Sequence, residues 1–406
     1  YAGLSNALFP ATQSPDFVQD FLAISDTQFL HADFQFRFRN MGSITGNNDH
    51  WHIDYVYIDA NRNMTGAISY PDVAFTHLPV SPLRRYTAVP FEHFRDTMLN
   101  DTLLMQTRNL GAISGTLDRL YTVEELHTAT SLLSTPLPAL TYAPSPTADD
   151  VLTGGFIGSF SSYAPADTAT LLSTYTILNP TDFQNNPLFA HSDTVRRLTH
   201  LGNYFAYDDG VAEARIIAEQ VGTQVAVEFH TTQDDTLRGI YFHLPYFINR
   251  DASQDFINVK VWLGDLNNEV FSRDIYRLRY TADFNGLHYV ALTDFAGEPT
   301  PLYLPANTRF YVGWQQASTI SVPVGFDKSN DASQYTFVHT GNTWTNSDLV
   351  GAIMIRPLVS MATEFDIVGV ERPSAAKPTA QRFRLFPNPA PSADADGFFL
   401  APQSGV

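Results

Sequence analysis

The 406-residue chain contains no cysteine. That excludes disulfides, thiolate metal sites and a cysteine nucleophile, so a secreted chain of this kind must rely on cores large enough to dispense with cross-links. Cations are also scarce: 24 Lys and Arg stand against 42 Asp and Glu, giving a formal charge of −18 and a pI near 4.9. Nucleic acid is a poor partner for such a chain, because its binding rests on cations set against phosphates. No apolar run approaches the ~20 residues of a membrane helix, so no membrane insertion is expected. The opening residues lack a basic-apolar signal peptide, and Tyr1 is not an initiator. Tyr1 is therefore read as following either a processing event or further upstream residues. Also missing are a Gly-x-Ser-x-Gly elbow, a His-Glu-x-x-His helix and a Walker-type phosphate loop, which speaks against catalysis within the chain.

What is present is aromatic and turn-rich: 13% aromatic residues, 23 Gly and 25 Pro, with only 16% charged. This is the profile of an all-β extracellular protein made of tandem β-sandwiches. The stretch Asn203 to Ile216, NYFAYDDGVAEARI, opens the longest unit. After it, apolar residues alternate with period two, as half-buried strands require. Val225, Val227 and Phe229 share one face, as do Ile240, Phe242 and Leu244, then Val259, Val261 and Leu263, then Phe310, Val312 and Trp314, and finally Ile353 with Ile355. Turn clusters at 265–268, 285–286 and 327–331 separate them. Residues 201–360 are thus expected to form a complete jelly-roll sandwich.

The flanks read differently. Residues 1–66 offer too few strands for a whole sandwich and are expected to be the C-terminal half of a jelly roll. Phe34, Phe36 and Phe38 alternate with Gln35, Arg37 and Arg39 as a strand with one wet face, and Asp49 to Asp59 follows as a second. The missing half comes either from upstream sequence or from another chain. Residues 67–200 fit an Ig-like sandwich, with strands at 102–107, 154–163 and 174–178 and either a short helix or further strand over 123–133. Four prolines between Ser134 and Pro146 favour an extended edge or connector. Residues 361–381 are a Pro/Ala/Ser-rich linker, and 382–406 turn strand-like again.

Two places suit a calcium ion, which takes carboxylate and carbonyl oxygens. The first is the acidic turn Asp208-Asp209-Gly210, whose residues also suit a plain chain reversal. The second surrounds Asp49 and Asp54. Beside the latter, His50 and His52 share a strand face as zinc ligands would, but no third ligand stands at a sensible spacing. Trp262, Trp314 and Trp344 are candidates for an aromatic carbohydrate platform, with core packing the alternative for the first two.

Three stretches resemble large surface proteins exported by the type IX secretion system of Gram-negative bacteria. FQFRFRNMGSITGNNDHWHIDYVYID (34–59) resembles the end of a recurrent jelly roll in that group. NYFAYDDGVAEARI, with VGWQQ (312–316), GFD (325–327) and MIRP (354–357), resembles a second jelly roll. RFRLFPNPA (382–390) is similar to the start of a type A C-terminal sorting domain, its motif being Phe386, Pro387, Asn388 and Pro389. A complete sorting domain continues for several more strands, so this one is either truncated or processed. The resemblance implies export by the type IX machinery and a place outside the cell or on its outer surface. It also implies sugar on Asp-Thr-aliphatic triplets: Thr97, Thr102, Thr168, Thr194 and Thr236 head the list. Three functions follow as expectations. The chain is a structural, adhesive or assembly-forming surface protein that self-associates or is completed by another chain; or it supplies accessory domains to a larger secreted peptidase or glycoside hydrolase; or it binds surface glycans.

Overall fold

The computed structural model describes residues 21–39, 53, 56, 58, 73–75, 81–100, 104–109, 114–142, 149–153, 168–178, 193–245, 255–276, 278–280, 286–341 and 343–359. Among them there are twenty-one strands and no α-helix. In chain order these are β1 (Val73–Phe75), β2 (Ala88–Pro90), β3 (Leu104–Asn109), β4 (Gly115–Glu125), β5 (Thr130–Tyr142), β6 (Asp149–Thr153), β7 (Ala169–Leu178), β8 (Thr194–Gly202) and β9 (Ala214–Ile216). They continue as β10 (Gln224–His230), β11 (Asp235–Phe242), β12 (Phe256–Leu263), β13 (Glu269–Tyr276), β14 (His288–Ala291), β15 (Leu302–Leu304) and β16 (Arg309–Gln315). The last are β17 (Val324–Asp327), β18 (Thr336–His339), β19 (Trp344–Asn346), β20 (Ala352–Ile353) and β21 (Ile355–Val359). The fold is all-β, as the alternation of the sequence requires.

The larger sandwich has a six-stranded antiparallel sheet in the order β13-β12-β16-β10-β18-β19. Its other layer combines β11, flanked by β14 and β15 on one edge and β21 on the other, with the small sheet β20-β17-β9. The inward faces are those read from the sequence: Val227, Phe229, Val259, Val261, Phe310, Val312 and Trp314 meet Ile240, Phe242, Leu244, Ile353 and Ile355 in one buried cluster. Phe242 and Trp314 touch edge-on across the layers, ring centres 6.4 Å apart. Each such side chain contributes about 1.5–3 kcal/mol through removal from water.

A second body stands beside it. The five-stranded sheet β2-β8-β7-β4-β5 is antiparallel except for β2, which runs parallel to β8 with Ala88 opposite His200. Val73, Leu117 and Ile177 pack between it and the three-stranded sheet β1-β3-β6, with Phe75 against them. The prolines expected to mark an extended edge do so: β5 is the outermost strand and contains Pro136 and Pro138. An edge strand tolerates the lost N–H that an interior strand would miss.

Three expectations need correction. Residues 123–133 form no helix: 123–125 close β4, 126–129 make the turn of the β4–β5 hairpin and 130–133 open β5. The buried carboxylate of Glu125 fixes that turn by accepting hydrogen bonds from the N–H groups of His127, Thr128 and Thr170 and from the Thr128 hydroxyl. Phe34 to Arg39 is extended with its phenylalanines on one side, ring centres 6.4 and 5.7 Å apart, yet it forms no strand. A strand needs a neighbour for its backbone groups, and the segment pairs with none among the described residues. Finally, a division at residues 200–201 assigns 81–100 to the middle unit. In the structure the segment serves both bodies: β2 pairs with β8 of the five-stranded sheet, while Tyr86 packs on Phe205, Tyr207 and Phe229 of the larger sandwich at 5.4, 4.9 and 6.3 Å. The expected strands at 49–59 and 154–163 lie outside the described residues, apart from positions 53, 56 and 58.

Candidate metal centre at the joint

The turn singled out in the sequence lies where the two bodies meet. Gly210 adopts φ 95°, a left-handed conformation open to glycine, and the reversal sends Asp208 and Asp209 to different tasks. Asp208 is buried and ion-paired with Arg356 of β21, whose Nε donates to its two carboxylate oxygens at 3.1 and 3.2 Å while Nη2 donates to Oδ1. The Gly210 N–H also donates to Oδ1. The Tyr204 ring lies 5.3 Å from the guanidinium carbon. Burial alone would lower the pKa of Arg356; the Asp208 carboxylate more than reverses this and holds the guanidinium charged. Asp208, expected as a calcium ligand, is instead the counter-ion of a buried arginine.

Asp209 points the other way. Its carboxylate, that of Glu213 and that of Asp327 at the end of β17 bring oxygens within 4.8 Å of one another. This is an oxygen-only, anionic donor set of the kind calcium takes. Asp327 itself is fully buried, and four N–H groups donate to it: those of Ser329 and Asn330 to Oδ1, and those of Asp209 and the Asn330 side chain to Oδ2. Its lone pairs are therefore used by the fold, while Asp209 accepts from the Val211 N–H through Oδ1 at 3.0 Å and Glu213 from the Lys328 N–H through Oε2 at 2.8 Å. Burial and the Asp209 charge push Asp327 up to about 7 against the pull of those N–H donors. Arg197 of β8 reaches the same place, its Nη2 donating to the Asn330 side-chain oxygen. The Thr87 hydroxyl donates to the backbone oxygens of Ala206 and Asp208. The sequence fragments around 208, 326 and 356 thus converge on one joint.

No family model matches the chain, and no curated protein matches it.

One further constellation has the residue types of a hydrolytic triad. His93, fully buried, places Nε2 2.8 Å from Asp235 Oδ2, and the Thr232 hydroxyl is 3.3 Å from its Nδ1. The Thr232 N–H occupies Nδ1 at 3.0 Å, however, and the hydroxyl donates to the His93 carbonyl at 2.9 Å. The base lone pair is already taken, so a general-base role fails on geometry. These bonds pin the 3-10 turn Phe91–His93 to the β10–β11 hairpin.

Of the tryptophans, Trp314 is in the core and Trp262 is buried on the outer face of the six-stranded sheet under Trp344, ring centres 5.4 Å apart. Neither offers a ring face to solvent. Among the glycan candidates, Thr97 is exposed on a 3-10 turn, and Thr168, Thr194 and Thr236 are half-buried. Thr102, Asp49, Asp54, His50, His52 and the 386–389 motif lie outside the described residues.

Proposed function

We propose that this chain is a non-catalytic surface protein of the extracellular space, a structural or adhesive element exported by type IX secretion. The observation that carries the reading is the joint. A single buried apolar cluster runs from Tyr121, Leu171 and Tyr175 of the five-stranded sheet into the larger sandwich. The polar groups around it serve one another: Asp208 with Arg356, His93 with Asp235, and Arg85 with Glu228 at 3.1 Å. Such a body suits a stiff spacer or a building block. Calcium at Asp209 and Glu213 accompanies this reading as a structural ion, and Thr97 is the triplet best placed to carry sugar.

The full chain is to be examined by light scattering and electron microscopy and incubated with peptide and glycoside substrates. Rod-shaped particles or ordered assemblies without turnover are expected. Turnover of any substrate that survives rigorous purification overturns the reading.

A further inference from the structure

The outer face of β11, β14 and β15 carries tyrosines that the core does not use. Ile240, Phe242, Val290, Leu302 and Leu304 point inward, so the residues between them point out. Tyr241 and Tyr289 are cross-strand partners with ring centres 4.9 Å apart, and Tyr303 is opposite Thr236 on the same outer face. Tyr289 is laid flat over Gly239: a Cβ there would stand 2.3 Å from its Cε2. Its hydroxyl donates to the Arg238 carbonyl at 3.4 Å, yet 41% of the residue stays exposed. Tyr303 is 60% exposed. The Asp234 carboxylate beside its phenol raises its pKa. Asp234 in turn is fixed by the Ala306 N–H at 2.7 Å. Tyr289 is thus an oriented ring.

We propose that this face binds neutral oligosaccharide chains, with Tyr289 and Tyr303 as stacking platforms and Asp234 accepting from sugar hydroxyls. A pyranose has one face of C–H bonds, whose slightly positive hydrogens suit the negative face of an aromatic ring. Its hydroxyls are donors that a fixed carboxylate can accept. The charge of the surroundings selects among partners: Asp234 and the net −18 repel anionic polymers and anionic lipid surfaces. Gly239 and Thr236 are three residues apart on β11, about 10 Å at the rise of a strand. The two platforms therefore match a chain of sugars better than a single ring. A glycine that lets a tyrosine lie flat on the sheet supplies the preorganisation that lowers the cost of binding. The inference rests on the surface-protein reading above and gives its adhesive arm a ligand class.

The test is affinity electrophoresis of the full chain in gels containing soluble starch, xyloglucan or galactomannan, with polygalacturonate as the anionic comparison. Retardation by at least one neutral polymer and none by polygalacturonate is expected. Tyr289→Ala and Tyr303→Ala should each weaken binding about tenfold, a loss near the upper range of one aromatic contact, and Tyr289→Phe should retain it. Tyr303 is exposed enough that its truncation leaves the fold intact, so loss of binding in that variant is not a folding defect. Absence of retardation in every neutral gel, retardation by polygalacturonate, or full binding by the double variant Y289A/Y303A overturns the proposal. Release of reducing ends by the wild-type chain would overturn the non-catalytic reading while leaving this binding face standing.

Discussion

Replacing Asp208 by Asn removes one charge from the joint and almost no volume. Arg356 would remain 3% exposed, with its guanidinium facing a neutral amide and the Tyr204 ring. Breaking one partner of a buried ion pair costs about 3–5 kcal/mol, because the remaining charge has neither water nor counter-ion. Domain stabilities are about 5–15 kcal/mol, so this is about a fifth or more of the total. With a urea slope of roughly 3 kcal/mol per molar, the midpoint should fall by about 1 M or more. Equilibrium urea unfolding followed by tryptophan fluorescence measures it. Arg356→Met should cost a similar amount, and the double variant distinctly less than the two added together, since no charge is then stranded. A cost for Asp208→Asn below about 1 kcal/mol, or strict additivity, would refute the pairing. Loss of stability on adding a chelator to wild type but not to the Asp208→Asn variant would restore Asp208 as a calcium ligand.

Further outcomes follow from the same geometry. Asp327, raised to about 7 from an ordinary 3.8, keeps its proton in the folded state between those values, so its contribution to stability falls as pH rises through that window. His200, lowered by burial to about 4 from 6.5, acts oppositely, losing stability as pH falls below 6.5. The Asp327 effect is therefore best read from melting curves on a His200→Gln background, where Asp209→Asn should flatten it. Millimolar calcium should raise the melting temperature more at pH 8 than at pH 6, and no longer do so in Asp209→Asn; an unchanged melting temperature at pH 8 removes the ion from the account. Burial alone would raise the pKa of Glu125, but its hydrogen bonds with Thr128, Thr170 and His127 hold it down at about 2. Its stabilising contribution should be complete above about 4.5 and fade as pH drops toward 2, and Glu125→Gln should cost about 1.5–3 kcal/mol at pH 7 and less at pH 3 by calorimetry. Gly239→Ala should cost about 1–3 kcal/mol by overpacking against Tyr289, and in the affinity gels it should weaken retardation.

Period-two alternation was enough to find most strands of the larger sandwich. Val225 to Phe229, Ile240 to Leu244 and Phe310 to Trp314 each face inward as the pattern demands. Trp262 alternates with Val259 and Val261 onto the outer face, yet it is buried there among Ala226, Tyr311 and Trp344, the last over eighty residues later. The hairpin at 123–133 was ambiguous because Glu125 looks like an ordinary surface acid until Thr170, on another strand, donates to it. Asp208 and Asp209 were recognisable as a turn, but their division between an arginine and an acidic cluster depends on Arg356 and Asp327, both over a hundred residues away. The docking of 81–100 into the larger core was equally hidden, since nothing local in Leu83 or Tyr86 names Phe205 as its neighbour. The tyrosine face leaves no local trace, since Tyr289 meets Gly239 only once β14 pairs with β11, fifty residues apart in the chain.

Because β2, inside the segment seated on the larger sandwich, pairs in parallel with β8, the strand that leads into that sandwich, the two bodies share a hydrogen-bonded strand pair at their joint. A lone connecting strand would act as a swivel; one bonded to a neighbour that is itself packed in the larger core resists rotation of one body about the other. A pull or twist on the middle body would then reach the larger one as torque on a parallel strand pair, without an idle turn between them.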